Sequence, residues 1–373
     1  MHNRECDGGE RDFFIESEGH GVQRATLLAL LQATAESRTA PESTGGEDRD
    51  NKQNHREDQR SSLIVFIEEP EVYQHPVQAR MMARSFANAA RTGDVQFVLA
   101  THSPYFLDPN EIHNTFRVEN SPTGSKANRP SVQGVLKEKN ASGELDKYFL
   151  ESVIESLFSR AALVVEGDTE RAIFDTVPCG DDGLTLRDLG ISVVVAAGSA
   201  SLLDMAQLIQ DFGVPVFVVR DGDSNKDIAM KTAREKSQST IREQFQCAPD
   251  FENEEHLKIA HNKQQNILKS WRSAVDSFIK KARESGFGEG LENFEWGGGI
   301  QVGRYIGILS HDLEEELHNW TSFTTKANEF GLPPDLRKAK KAGILARVAV
   351  QSKQEDMPDD LKHILEVARQ MVD

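Results

Sequence analysis

Two short acidic stretches carry residues that could do metal chemistry. In "LVVEGDTE" an apolar run ends in Glu166, Gly167 supplies a tight turn, and Glu170 falls four residues on, in the first turn of a helix. Further along, "VFVVRDGD" is a second apolar run, ending in Asp221 and Asp223. Residues two apart in extended chain point to the same side, so both aspartates face one way. Four carboxylates converging at one sheet edge repel strongly unless divalent cations sit among them. That arrangement suits metal-assisted cleavage of a phosphodiester. An alternative is a calcium loop starting at "DGDSNKD", but Lys226 replaces the required glycine and Thr232 the closing glutamate. A third stretch, "SLIVFIEEPEVYQHP", runs Ile64 to Ile67 straight into Glu68 and Glu69, with Glu71 just past Pro70. Short and β-branched, it reads as a buried strand with its acids at the carboxyl end, where open α/β sheets place ligands.

The elements that must position these acids follow from apolar spacing. "GVQRATLLALLQATAES" (21–37) has helical periodicity, and residues 38–60 contain no large apolar side chain, which predicts a disordered insert. The strand "LIVFIEE" is followed by a helix through "PVQARMMARSFANAARTG" and a second strand, "VQFVLATHSPYFLD" (95–108). Residues 109–145 are turn-rich, with "VENSPTGSKANRP" expected as a loop, and "ELDKYFLESVIESLFSR" is expected as a connecting helix. From Ala161 strands and helices alternate through "AALVVEG", "DTERAIFDTV", "ISVVVAAG", "ASLLDMAQLIQDFG" and "VPVFVVRDGD". Such alternation predicts a parallel sheet wrapped by helices. A charged, mostly helical insertion is expected over about 225–295, and a helical tail after it. The fold class is therefore α/β, with one domain over 1–150 and a second, Rossmann-like one over 156–373.

Composition limits the function classes. The 373 residues include 60 acidic and 43 basic ones, a formal charge of -17. Such a balance argues against a protein that coats nucleic acid non-specifically, though not against an enzyme whose acids hold metal. Cys6, Cys179 and Cys247 lie far apart without a CxxC, which argues against a zinc ribbon or disulfide framework and fits the reducing cytoplasm. No stretch has the length and apolarity of a membrane span, and no signal segment opens the chain, so a soluble cytoplasmic protein is expected.

In order and spacing, "SEGHGVQR", "LIVFIEEPEVYQHP" and "VLATHSPYFLD" resemble the ABC-type ATPase core of DNA-repair and defence proteins. The resemblance makes Glu68 a magnesium-binding acid and Glu69 the group that polarises attacking water. It makes "EVYQHP" a D-loop, His102 a γ-phosphate-sensing switch, and Gly21 and Gln23 part of a divergent signature. The P-loop pattern GxxxxGK[ST] occurs nowhere in the sequence, and only 16 residues precede "SEGHG". The expectation is the carboxyl-terminal portion of a larger protein, or an ATPase lobe that has decayed.

The EG…DxD pattern resembles the Toprim domain. A Toprim topoisomerase needs a large tyrosine-bearing domain, for which there is no room, and a bacterial primase a zinc module, which the cysteines do not supply. Joined to an ABC-type ATPase with the form "EEPE", the pattern resembles the overcoming lysogenization defect (OLD) family of ATP-dependent endonucleases. That resemblance implies a two-metal DNA nuclease using Mg²⁺ or Mn²⁺. Glu166, Asp221 and Asp223 would hold the first cation, and Glu170 with Glu314 of "LSHDLEEEL" the second, Asp312 being the other choice. In "RKAKKAGILARV", Lys341, or failing it Lys338, would steady the scissile phosphate. Arg337, Lys338, Lys340 and Arg347 would contact the DNA backbone. ATP would act only if the missing phosphate-binding half were supplied, for instance by a separate P-loop-bearing polypeptide, and the ATPase lobe would form a homo-oligomer. The rival expectations are a nuclease-inactive interaction protein and an ATP-driven DNA clamp.

Overall fold

The computed structural model describes residues 63–91, 95–130, 147–196, 198–222, 272–295, 300–339 and 342–372, with Lys269 and scattered positions between 19 and 30. The chain divides into two compact units, Met1–Asp108 and Pro109–Asp373.

In the first unit β1 (Leu63–Glu68) and β2 (Val95–Ala100) pair in parallel, from Leu63 opposite Val95 to Glu68 opposite Ala100. Helix α1 (Pro76–Arg91) connects them. Proline suits a first helical position, where its missing N–H loses no bond. Ile67, Phe97 and Leu99 pack with Ala79 and Phe86 of α1 and with Phe106. The alternate residues Ile64, Phe66 and Val98 are exposed, Phe66 by 75%. The strand expected to be buried therefore buries only one face. A parallel sheet is normally covered on both faces, and here the helix covers one.

In the second unit the stretch "VENSPTGSKANRP", expected as a loop, forms most of a hairpin of β3 (Arg117–Ser121) and β4 (Gly124–Asn128). Its strands carry polar residues on both faces, so apolar alternation could not reveal them. Arg117 donates from Nε to the carbonyl of Leu157 (3.0 Å) and from Nη1 to that of Gly213 (3.2 Å). Those bonds join the hairpin to the second unit, whereas the sequence pattern grouped it with a first domain reaching residue 150.

After α2 (Lys147–Ser156) comes the main sheet, ordered β6-β5-β7-β9-β8. Its strands are β5 (Ala161–Val165), β6 (Ile191–Val195), β7 (Val216–Arg220), β8 (Gln301–Val302) and β9 (Ile306–Ile308). All pairings are parallel except that of β8 with β9. Every residue of β5 and β7 is buried, as continuous Val/Leu/Ala/Phe runs require at the centre of a sheet covered on both faces. The helices are α3 (Asp168–Phe174), α4 (Leu202–Asp211), α5 (272–284), α6 (Leu313–Asn319), α7 (Thr321–Glu329), α8 (Ala342–Val350) and α9 (Asp359–Gln370). The core gathers Leu163, Phe217, Trp320, Phe323 and Ile364. The insert at 38–60 and the insertion from Asp223 to residue 268 lie outside the described residues. Helix α5 buries Val275, Phe278, Ile279 and Ala282, and Lys281 pairs with Asp204 of α4 at 2.6 Å. Among the described residues no helix is long and apolar enough to cross a membrane.

Candidate metal centre

The chain leaves β5 to one neighbour, β6, and returns to the other, β7. Such a reversal opens a crevice at the carboxyl ends of the two strands. Glu166 follows β5 directly and Asp221 follows β7 directly. The Asp221 N–H donates to Glu166 Oε1 at 3.4 Å, a long bond across 55 residues of sequence. Backbone bonds hold Glu166 from the other side: Gly198 N–H reaches its carbonyl at 2.9 Å, and Ala196 N–H reaches that of Val165 at 2.9 Å. Glu170 lies in the first turn of α3 and is buried. Its pKa is pushed up to about 7, first by burial and then by the charges of Glu314 and Glu166. Two other acids foreseen from the sequence thus act electrostatically on Glu170.

The third edge position comes from β9, next to β7. The chain runs from Ile308 through Leu309, Ser310 and His311 to Asp312, the N-cap of α6. Asp312 is buried, and its Oδ1 accepts the Glu315 N–H at 3.1 Å. Its carboxylate therefore caps a helix, while Glu314 is the acid that acts on Glu170. Among the described residues no three acidic, histidine or cysteine side chains are drawn closely enough together to hold a metal ion. Asp223, Lys340 and Lys341 lie outside the described residues, as does the side chain of Arg337. Lys338 is paired with Asp335 at 3.2 Å, and the guanidinium of Arg347 lies 5.8 Å from the Phe330 ring centroid.

Three features of this sheet edge escaped the sequence reading. Gly222, between the two aspartates, donates its N–H to the His311 carbonyl at 3.0 Å, and any β-carbon there would overlap the Leu309 carbonyl. Only glycine lets the acid-bearing turn lie this close to the end of β9. Glu316 is buried with its Oε1 unbonded, and burial, with the charge of Asp360, pushes its pKa up to about 7. Arg220 is buried beside Glu166, its Nε 3.7 Å from Oε1. The Asp-Gly-Asp spacing signals the glycine, but nothing local signals the other two.

The ATPase-type residues sit at the strand ends of the first unit. Glu68 closes β1, and Glu69 adopts φ +46°, a region few non-glycine residues occupy. Its N–H donates to the Ala100 carbonyl at 2.7 Å. Glu71 accepts Thr101 Oγ1–H at 2.7 Å and the His102 N–H at 2.8 Å, so its carboxylate ties the "EVYQHP" turn to the "THSP" turn. That clasp sets exposed His102 at the same sheet end as Glu68 and Glu69. Gln23 lies in helical backbone, and Gly21 is outside the described residues.

Comparison with known proteins matches residues 4–107 to the AAA ATPase domain and 157–223 to the overcoming lysogenization defect protein-like TOPRIM domain. The Old nuclease of Escherichia phage P2 is 29% identical over 61% of this chain and 36% of its own length. The OLD nuclease of Thermus scotoductus is 28% identical over 43% of this chain and 30% of its own. Endonuclease GajA of Bacillus cereus is 25% identical over 60% and 36%. The chain thus spans about a third of the length of the curated relatives it matches. A solved structure, the C-terminal region of the Xanthomonas campestris pv. campestris OLD protein, aligns over 58% of this chain and 97% of its own. Its identity is 17% and its TM-score 0.31, too loose a likeness to argue from. A match to an AAA ATPase domain followed by one to an OLD-like TOPRIM domain, with OLD nucleases among the similar proteins, makes this chain similar to the OLD family in the order of its domains.

Proposed function

We propose that the second unit is a metal-dependent DNA endonuclease site. The observation that carries this reading is the placement of acids at the carboxyl ends of three neighbouring parallel strands, β5, β7 and β9. An all-oxygen donor set fits a hard cation such as Mg²⁺ or Mn²⁺. Burial, and then the charges of Glu314 and Glu166, raise the proton affinity of Glu170, and a bound cation would offset that crowding. Glu166, Asp221 and Asp223 would hold one cation; Glu170 and Glu314 would hold or orient a second. Bound cations would supply an activated water and charge stabilisation for the departing oxygen. Gly222 lets the aspartate turn pack against the end of β9, and the Asp312 cap fixes the start of α6. Lys341 would steady the scissile phosphate, and Arg337, Lys338, Lys340 and Arg347 would contact the duplex backbone.

The first unit would regulate rather than cut. Glu68, Glu69 and His102 would serve in phosphoryl transfer, but turnover would need a phosphate-cradling loop that this sequence does not contain. The test incubates supercoiled plasmid with the chain in Mg²⁺, in Mn²⁺ and in EDTA. Cutting is expected with either metal, and not in EDTA or with Glu166→Ala. No cutting by a folded chain would shift the reading to an interaction protein, which the exposed apolar face of β1 and β2 favours.

A further inference from the structure

Arg220, the last residue of β7, has no part in the chemistry just described. Its side chain is 3% exposed, and Nε and Nη1 make no hydrogen bond. A guanidinium keeps its proton, so the chain carries a full positive charge into its interior. Burying a charge costs several kcal/mol unless an opposite charge and good contacts offset it. Two contacts do so. Nε stands 3.7 Å from Oε1 of Glu166, an ion pair too long for a hydrogen bond. The cation also lies 4.8 Å from the ring centroid of Phe278. Phe278 is itself buried, and it comes from α5, inside the insertion to which the sequence reading assigned no role. Oε1 of Glu166 thus meets the Arg220 cation and the Asp221 amide together.

We infer that Arg220 is a positioning residue for the acidic edge: an internal counter-ion that holds the Glu166 carboxylate across from Asp221 and offsets the crowded negative charge before a cation binds. Phe278 seals it from water, which strengthens the pair by lowering the local dielectric. Helix α5 is then part of the site. Arginine suits the position better than lysine, because a planar guanidinium can lie against an aromatic ring while an edge nitrogen faces the carboxylate. The inference rests on the metal reading above, and the two can fail separately.

The first measurement needs no metal. In EDTA, Glu166→Gln leaves the Arg220 charge buried without its partner, so the full-length variant should denature at lower urea. Adding Arg220→Met should then raise the midpoint again. A double variant less stable than Glu166→Gln alone would overturn the pairing. The second measurement is Mn²⁺ affinity by calorimetry. Arg220→Met should weaken binding about tenfold and Arg220→Lys less than about threefold, the scale of lost support behind a ligand. Unchanged or tighter binding by Arg220→Met, where the wild-type chain binds Mn²⁺, would overturn the inference and leave the metal site standing. A wild-type chain that binds no Mn²⁺ while showing the urea rescue would overturn the metal reading and, with it, the positioning role. Should Arg220→Met fail to fold, Arg220→Gln carries both measurements with the same expected signs.

Discussion

Asp221 and Glu314 are both candidate ligands, yet their supports differ. Asp221 follows a fully buried strand, and its amide is tied to Glu166. Glu314 lies in the first turn of a seven-residue helix. Pre-positioned ligands lose more on removal, so Asp221→Ala should weaken Mn²⁺ binding by more than about tenfold and Glu314→Ala by less. Calorimetry on the two folded variants decides the ranking, and equal losses would contradict it. Glu170 and Glu316 make a second prediction. Both have pKa values of about 7 in the folded chain, against an ordinary 4.5. The folded state therefore holds these protons more tightly than the unfolded one. Their contribution is fully present below about pH 4.5 and is lost as pH rises through about 7, by on the order of 3 kcal/mol each. In EDTA the urea midpoint should fall between pH 5 and pH 8, and Glu316→Gln should flatten that fall. A midpoint constant over this range would refute the burial argument.

At the scale of elements, the two faces of the β1–β2 ribbon make opposite predictions. Phe86 of α1 is 4% exposed and sits with its ring centroid 4.7 Å from that of Phe97 and 6.4 Å from that of Phe106. Phe86→Ala should destabilise the first unit by about 3 kcal/mol. Phe66 on the other face is 75% exposed, so Phe66→Ser should change stability by less than about 0.5 kcal/mol. Denaturation of the two variants side by side measures the difference. A large loss in Phe66→Ser would mean that this face is covered in solution.

For the whole molecule, the acids proposed for phosphodiester cleavage lie in the second unit and those proposed for ATP chemistry in the first. The sequence contains no P-loop, so nothing recognisable in it cradles β- and γ-phosphates. The purified chain should release no phosphate from MgATP at a useful rate, and any plasmid cutting should be indifferent to ATP. Phosphate release that disappears in Glu69→Gln would contradict this. Metal-assisted hydrolysis needs water and cations but no nucleotide for bond breaking, which is why the two activities should separate.

Glu166 and Asp221 were legible in the sequence because a strand buried on both faces must be continuously apolar, so an acid that ends such a run marks its carboxyl end. The same logic found Glu68 and Glu69, and the order of the motifs carried the resemblance to the OLD family. Burial of β1 was misjudged, because a short apolar run looks the same whether one face or two are covered. The hairpin at Arg117–Asn128 was missed because its strands are polar on both faces. Arg220, Glu316 and the clasp made by Glu71 were invisible for a different reason. Arg220 becomes a counter-ion only when Glu166 and Phe278 arrive beside it, and Glu71 a clasp only when Thr101 and His102 do. Burial and pairing of a charge depend on which distant segments pack around it, and local residue patterns carry no record of that.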